Sequence, residues 1–170
     1  MKIQGVLPGQ LSEGSRVDGV AWKQHSMPAP TSNPIILYDG VCGFCNRLVQ
    51  FVLKHDQNDR FRFASLQSKF AAEVLLRHNA SPDDLDTMYV VLDYDLPDER
   101  IASRSDAAVV ALRQLGEGWA ALGTALRFVP LSVRNWGYNL VARNRYRIFG
   151  KYDSCPIPSD KDRHKFLDVK

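Results

Sequence analysis

The sequence predicts an α/β domain with the element order β-α-β-α-β-β-α and additional helices toward the C-terminus. Three observations carry that expectation. Apolar runs of strand length alternate with segments of helical period, turn residues punctuate them, and a Cys-x-x-Cys pair stands at the first strand-to-helix junction.

The order begins after a tail. The first 34 residues hold 8 of the chain's 20 glycines and prolines and only 11 apolar residues, so residues 1–34 read as a mobile segment. Ile35-Ile36-Leu37-Tyr38 is an apolar run suited to a buried strand. Asp39-Gly40 ends it, and a helix follows from about Cys42 to His55. Cys45, Leu48, Val49 and Val52 fall on one face of that helix. Phe61 to Ala64 is a second strand, with Phe61 and Phe63 pointing the same way. Ser68 to His78 repeats the helical pattern through Phe70, Ala71, Val74 and Leu75.

Thr87 to Leu92 is apolar enough for a central strand. Asp93 to Asp98, containing Pro97, turns into a short fourth strand ending at Ile101 and Ala102. Ser103 and Asp106 have capping-box spacing, with Asp in place of the usual Glu. Ala108, Ala111, Leu112 and Leu115 share one face of the helix behind them. Helices over about Trp119 to Phe128 and Ser132 to Arg147 follow, divided by Pro130. The domain is read as residues 35–158, with an irregular C-terminal tail over 159–170. This order is the one a thioredoxin-like core needs.

Composition limits what such a domain does. At 170 residues it is one ordinary domain, long enough to bury roughly 70% of its unfolded surface without staples. A net charge of +3 is too little to imply nucleic acid. No stretch approaches the roughly 20 apolar residues of a membrane span, and the first residues lack a signal-peptide run, so a cytoplasmic location is expected. Three cysteines are too few for a disulfide scaffold.

That turns attention to Cys42-Gly43-Phe44-Cys45. A helix N-terminus directs unpaired N–H groups and the positive dipole end at the first thiol, which favours the nucleophilic thiolate. Cys42 is therefore the expected attacking sulfur. Cys45, one turn deeper and in line with the apolar stripe, is expected to be the more buried, resolving partner. Gly43 lets the turn tighten, and Phe44 offers an apolar surface for substrate. The alternative is a binding module with structural cysteines, either zinc-stabilised or membrane-peripheral. Zinc needs four ligands, and completing a set with Cys155 and His164 gives a poor spacing, so no metal is expected.

Tyr38-Asp39-Gly40-Val41-Cys42-Gly43-Phe44-Cys45 resembles the signature of the DCC family of thiol-disulfide oxidoreductases, named for that Asp and the two Cys. The similarity continues through Phe63-Ala64-Ser65-Leu66-Gln67-Ser68 and Ser103-Arg104-Ser105-Asp106-Ala107-Ala108. It returns at Ala142-Arg143-Asn144-Arg145-Tyr146-Arg147-Ile148-Phe149-Gly150. The resemblance implies a thioredoxin-like fold and a redox-active pair, and names no substrate. Ordinary thioredoxins carry a cis-proline just before the third core strand. This chain has Asp86-Thr87-Met88 there, and Pro82 lies too early.

Asp39 has two readings: its carboxylate caps the helix N-terminus, or it accepts the Cys45 proton during resolution. Asp at a helix start is routine, which favours the cap. Parallel first and second strands would bring Ser65, Leu66 and Gln67 beside Cys42. An antiparallel third strand would start there with Asp86 and Thr87, and the fourth would end there with Arg104 and Ser105. Phe44, Gln67 and Thr87 are the expected substrate contacts, and Arg104 either joins them, favouring the thiolate or holding an anionic substrate, or is an exposed arginine near a helix start, the slightly favoured reading. The expected partners are a thiol or disulfide substrate, protein or small molecule, and a thiol reductant, with no organic cofactor.

Weaker signals remain. His55 lies about 15 Å along the helix from Cys45, too far to act as its base, and is placed to complement the helix C-terminus. Arg127, Arg134, Arg143, Arg145, Arg147 and Lys151 are interleaved with Trp119, Trp136, Tyr138, Tyr146 and Phe149, with no acidic residue between Gly118 and Tyr152. A helical cap with inward aromatics and solvated arginines is the favoured reading. Peripheral contact with an anionic membrane is the other. Cys155 is either a plain thiol or a third redox partner.

Overall fold

The structure, a computed structural model, describes residues 31–153 and 159–168. The expected tail over residues 1–30 and Cys155 lie outside the described residues. Of residues 31–34, Thr31 donates its N–H to the Tyr94 carbonyl at 3.0 Å.

Four strands form one mixed sheet in the order β2-β1-β3-β4: β1 (Ile35–Tyr38), β2 (Arg62–Ser65), β3 (Tyr89–Leu92) and β4 (Arg100–Ser103). β1 and β2 are parallel, with Tyr38 opposite Ser65; β3 is antiparallel to both β1 and β4. The period of two divides β1 between two cores. Ile35 and Leu37 pack with Phe70, Ala71, Val74 and Leu75 of α2 (Lys69–Arg77). Ile36 and Tyr38 pack on the other face with Val49 and Val52 of α1 (Gly43–His55) and Ala107 and Ala111 of α3 (Arg104–Gln114). Phe61 and Phe63 both join this second core.

Two further helices complete that side, α4 (Glu117–Arg127) and α5 (Leu131–Phe149). α4 lies tightly against α3 at Gly123, where a Cβ would come within 3.1 Å of the Arg113 backbone nitrogen. Trp119 packs edge-on against Phe51, and His55 holds its Nδ1 2.8 Å from the Phe51 carbonyl in the last turn of α1.

Two local expectations are corrected. β3 starts at Tyr89 rather than Thr87, because the Met88 N–H is taken by the Tyr138 hydroxyl at 2.8 Å and not by a neighbouring strand. Ser103 stands at the N-cap of α3 but its side chain makes no capping bond. Arg104 adopts a left-handed φ of 54° to turn strand directly into helix, and Asp106 instead pairs with Arg134 at 2.9 Å.

The chain's last described residues are irregular except for a 3₁₀ turn at Arg163–Lys165, yet they are anchored. Phe166 is buried against Phe63, the Leu167 N–H donates to the Phe63 carbonyl at 2.9 Å, and Asp168 accepts the Ser65 N–H at 2.7 Å. Lys165 reaches Asp56 and Asp59 at the other end of β2.

Candidate active site

The loop between β1 and α1 carries the site. The Cys42 N–H donates to the Asp39 carbonyl at 3.2 Å, closing the turn, and Asn46 Nδ2 donates to the Gly40 and Cys42 carbonyls at 2.8 and 3.0 Å. Cys42 is the N-cap of α1. Its Sγ accepts the Cys45 N–H at 3.3 Å, so a helix-terminal donor converges on the first sulfur, and the first turn contains no acidic residue to oppose a negative charge.

The relative depth of the thiols is the reverse of the expectation. Cys42 is fully buried at 0% exposure, whereas Cys45 is half-buried. The cover comes from the segment after α5. The Gly43 N–H donates to the Gly150 carbonyl at 3.2 Å, the Tyr152 N–H donates to Val41 at 2.7 Å, and Lys151 bridges Cys42. Gly43 permits this close approach: a Cβ there would lie 2.2 Å from the Phe149 carbonyl oxygen. Phe44 packs its ring on Phe149 at 4.9 Å.

Cys45 faces a cavity of about 350 Å³ between α1, α3, α5 and the sheet. Burial pushes the Cys45 thiol up, and its hydrogen bond to Cys42 and the Cys42 charge push it further.

Asp39 lies beneath the loop and does not cap α1. Its Oδ1 accepts the Val41 N–H at 3.2 Å and Gln67 Nε2 at 2.8 Å; its Oδ2 accepts Arg145 Nη2 at 3.2 Å and the Tyr146 hydroxyl. Four donors fill the acceptor positions of one carboxylate, so taking a proton from Cys45 requires one of them to leave. Burial and the bond to Asp39 push the Tyr146 hydroxyl up to about 12, keeping it a donor.

The expected neighbours divide. Phe44, Cys45, Asp39 and Thr87 line the cavity together. Gln67 joins through Asp39, and its Oε1 accepts the Gly40 N–H at 3.1 Å, so its amide orders the loop. Arg104 is exposed at the start of α3 and is not among the cavity residues. Asp86 and Tyr138 line the same space.

Arg145 is the residue that sequence reasoning missed as a site group. It is buried and ion-paired to Asp39, with a further contact of 3.0 Å to Asp86. Counting along α5 would have found it, because Tyr138, Ala142, Arg145 and Phe149 fall at i, i+4, i+7 and i+11 on one inward face. Among the described residues no cluster of three metal-ligating side chains occurs. His164 pairs with Asp59, at the end of the sheet opposite the cysteines.

A Cys-x-x-Cys pair on the first strand-to-helix turn of this four-stranded mixed sheet defines the thioredoxin-like class. The sequence profile described as DCC1-like thiol-disulfide oxidoreductase matches residues 36–151, and the chain belongs to that family. It is 37% identical to a chloroplastic DCC family protein of Arabidopsis thaliana over 144 residues, 84% of this chain and 81% of that one. It is 36% identical to the uncharacterized protein YuxK of Bacillus subtilis over 135 residues, 79% of this chain and 94% of that one. No solved structure matches it.

Proposed function

We propose that the protein is a thiol-disulfide oxidoreductase that cycles Cys42 and Cys45 between dithiol and disulfide. The single observation that carries this reading is the Cys45 N–H directed onto Cys42 Sγ at the α1 N-terminus, beside a Cys45 thiol that retains its proton. Cys42 attacks the substrate disulfide once the Phe149–Tyr152 cover moves aside. Bonding Cys42 to substrate removes its charge, and with it two of the influences that hold the proton on Cys45. Cys45 then loses its proton more readily and resolves the mixed disulfide. Asp39 and Arg145 act as positioning residues that fix the loop.

The partners we infer are a thiol or disulfide substrate and a thiol reductant, in a reducing compartment such as the cytoplasm. The test is titration of the purified protein through glutathione buffers, with thiols trapped for mass spectrometry. A reversible Cys42–Cys45 disulfide with a potential between about −120 and −270 mV supports the reading. No reversible disulfide overturns it.

We also propose peripheral contact with an anionic membrane surface. Trp136 is 69% exposed, and Leu140, Arg143 and Arg147 continue the same outward face of α5, with Phe128 exposed at the end of α4. Interleaved apolar and basic groups suit a headgroup boundary. No helix among the described residues is long and apolar enough to cross a membrane. Sedimentation with anionic liposomes, lost with neutral ones and weakened by salt, is the expected result; no sedimentation removes the idea.

A further inference from the structure

The cavity beside Cys45 says something about what the dithiol exchanges electrons with. Its walls are mostly hydrocarbon, with Leu48, Val52, Met88, Ala111 and Leu115 among them. Asp39, Arg145 and Tyr138 lie close enough to Cys45 to interact with its charge, and Asp86 and Thr87 also line the cavity. Arg145 has a side chain only 3% exposed, and its Nε–H has no acceptor among the described residues.

The surroundings exclude several kinds of ligand. An extended peptide needs backbone partners in the loop before β3. There the Leu85 and Asp86 carbonyls accept from Arg145, and the Met88 N–H donates to Tyr138. A charged disulfide would lose its hydration against hydrocarbon walls. An anionic head is disfavoured as well, because the Arg145 guanidinium already faces two carboxylates, Asp39 and Asp86. What fits is a neutral, apolar molecule of ring size that can take two electrons from the dithiol.

We propose that this cavity binds a neutral apolar carbonyl compound of the quinone class, which the Cys42–Cys45 dithiol reduces. The proposal rests on the thiol-disulfide reading of the site. In the step, two S–H bonds are lost and one Sγ–Sγ bond forms. Two electrons and two protons pass to the ligand, whose two carbonyl oxygens become the hydroxyls of a hydroquinone. An external dithiol restores the protein thiols.

The test uses the full chain, reduced and kept free of oxygen, with a dimethylated naphthoquinone whose ring positions beside the carbonyls are fully substituted, so that thiols cannot add to it. Hydroquinone formation is followed optically and the Cys42–Cys45 disulfide by trapping. The expected rate saturates with quinone concentration. Val141→Trp, at a cavity residue that is already 42% exposed, lowers that rate at low quinone by about tenfold or more while its glutathione titration is unmoved. Leu48→Phe carries the same comparison if the first variant does not fold. A rate that never saturates and is equal in the variants overturns the quinone site and leaves the dithiol chemistry standing. Failure to form a disulfide with either oxidant overturns both.

Discussion

The carboxylate of Asp39 and the guanidinium of Arg145 meet at 3.2 Å with side chains 1% and 3% exposed, joining the end of β1 to the last third of α5. Removing one charge strands the other. Asp39→Asn is expected to destabilise the fold by about 3 kcal/mol, near the low end for a broken buried pair because Asp86 still contacts Arg145. In a chain of this size that lowers the Tm by roughly 6–12 °C. Adding Arg145→Met should recover most of the loss, since the uncompensated charge is then gone. Calorimetry of the two variants checks this; an Asp39→Asn protein that melts like the wild type would contradict the burial of the pair.

Gly43 sets how closely the Phe149–Tyr152 segment covers Cys42. Gly43→Ala places a methyl against the Phe149 carbonyl, a backbone atom that can yield only by moving the whole segment. The expected outcome is faster labelling of Cys42 by iodoacetamide in the native reduced protein, with lower stability. Peptide mass spectrometry of the labelled chain reports it. An unchanged Cys42 rate would show that the cover is not what protects the sulfur.

The pH dependence of the second thiol follows from the direction of its shift. Burial first, then the bond and charge of Cys42, raise the Cys45 pKa, so its thiolate forms only at pH well above the ordinary thiol range. Cys45 labelling should stay slow at pH 8 and climb in strong alkali. Cys42→Ala removes the second and third causes but not the burial. Its Cys45 profile should move to lower pH without reaching that of an exposed thiol. Superimposable profiles would separate the two sulfurs electrostatically.

Asp168 is held in a setting that disfavours its charge. Burial raises its pKa against the opposing Ser65 N–H bond, and its Oδ1 is buried without a partner. A carboxyl with a raised folded-state pKa lends most stability when protonated, at pH below its unfolded value, and loses it as pH rises through the folded value. Asp168→Asn is therefore expected to raise the Tm at pH 7, with the gain disappearing below about pH 4. Thermal melts across that range test it; a gain independent of pH would point to packing instead.

Much of this arrangement was legible in the chain. The run Ile35-Ile36-Leu37-Tyr38 gives β1 its bounds because turn residues close it at Asp39-Gly40 and both its faces are apolar. The period of α1 placed Cys45, Leu48, Val49 and Val52 on one side, and all four are cavity-lining in the fold. What could not be read locally came from far along the sequence. The cover over Cys42 is supplied by residues about a hundred positions away, so helical periodicity could only rank the thiols by position along α1. The six basic residues of the C-terminal region look alike as a run, yet Arg145 is inside and Arg143 and Arg147 are outside. Inward aromatics and solvated arginines describe Tyr146 and Arg147, but not Trp136 or Arg145.

The docking of residues 166–168 along β2 has a consequence beyond the redox site. β2 is an outer strand of the sheet, and an outer strand with unpaired amides and carbonyls is a template on which another chain can add. Phe63 and Ser65 have theirs occupied by Leu167 and Asp168. The end of the chain thus serves as a selvedge, finishing the fabric where it would otherwise fray into its neighbours. A chain cut before Phe166 would keep both cysteines and leave the Phe63 carbonyl and the Ser65 amide open to another strand.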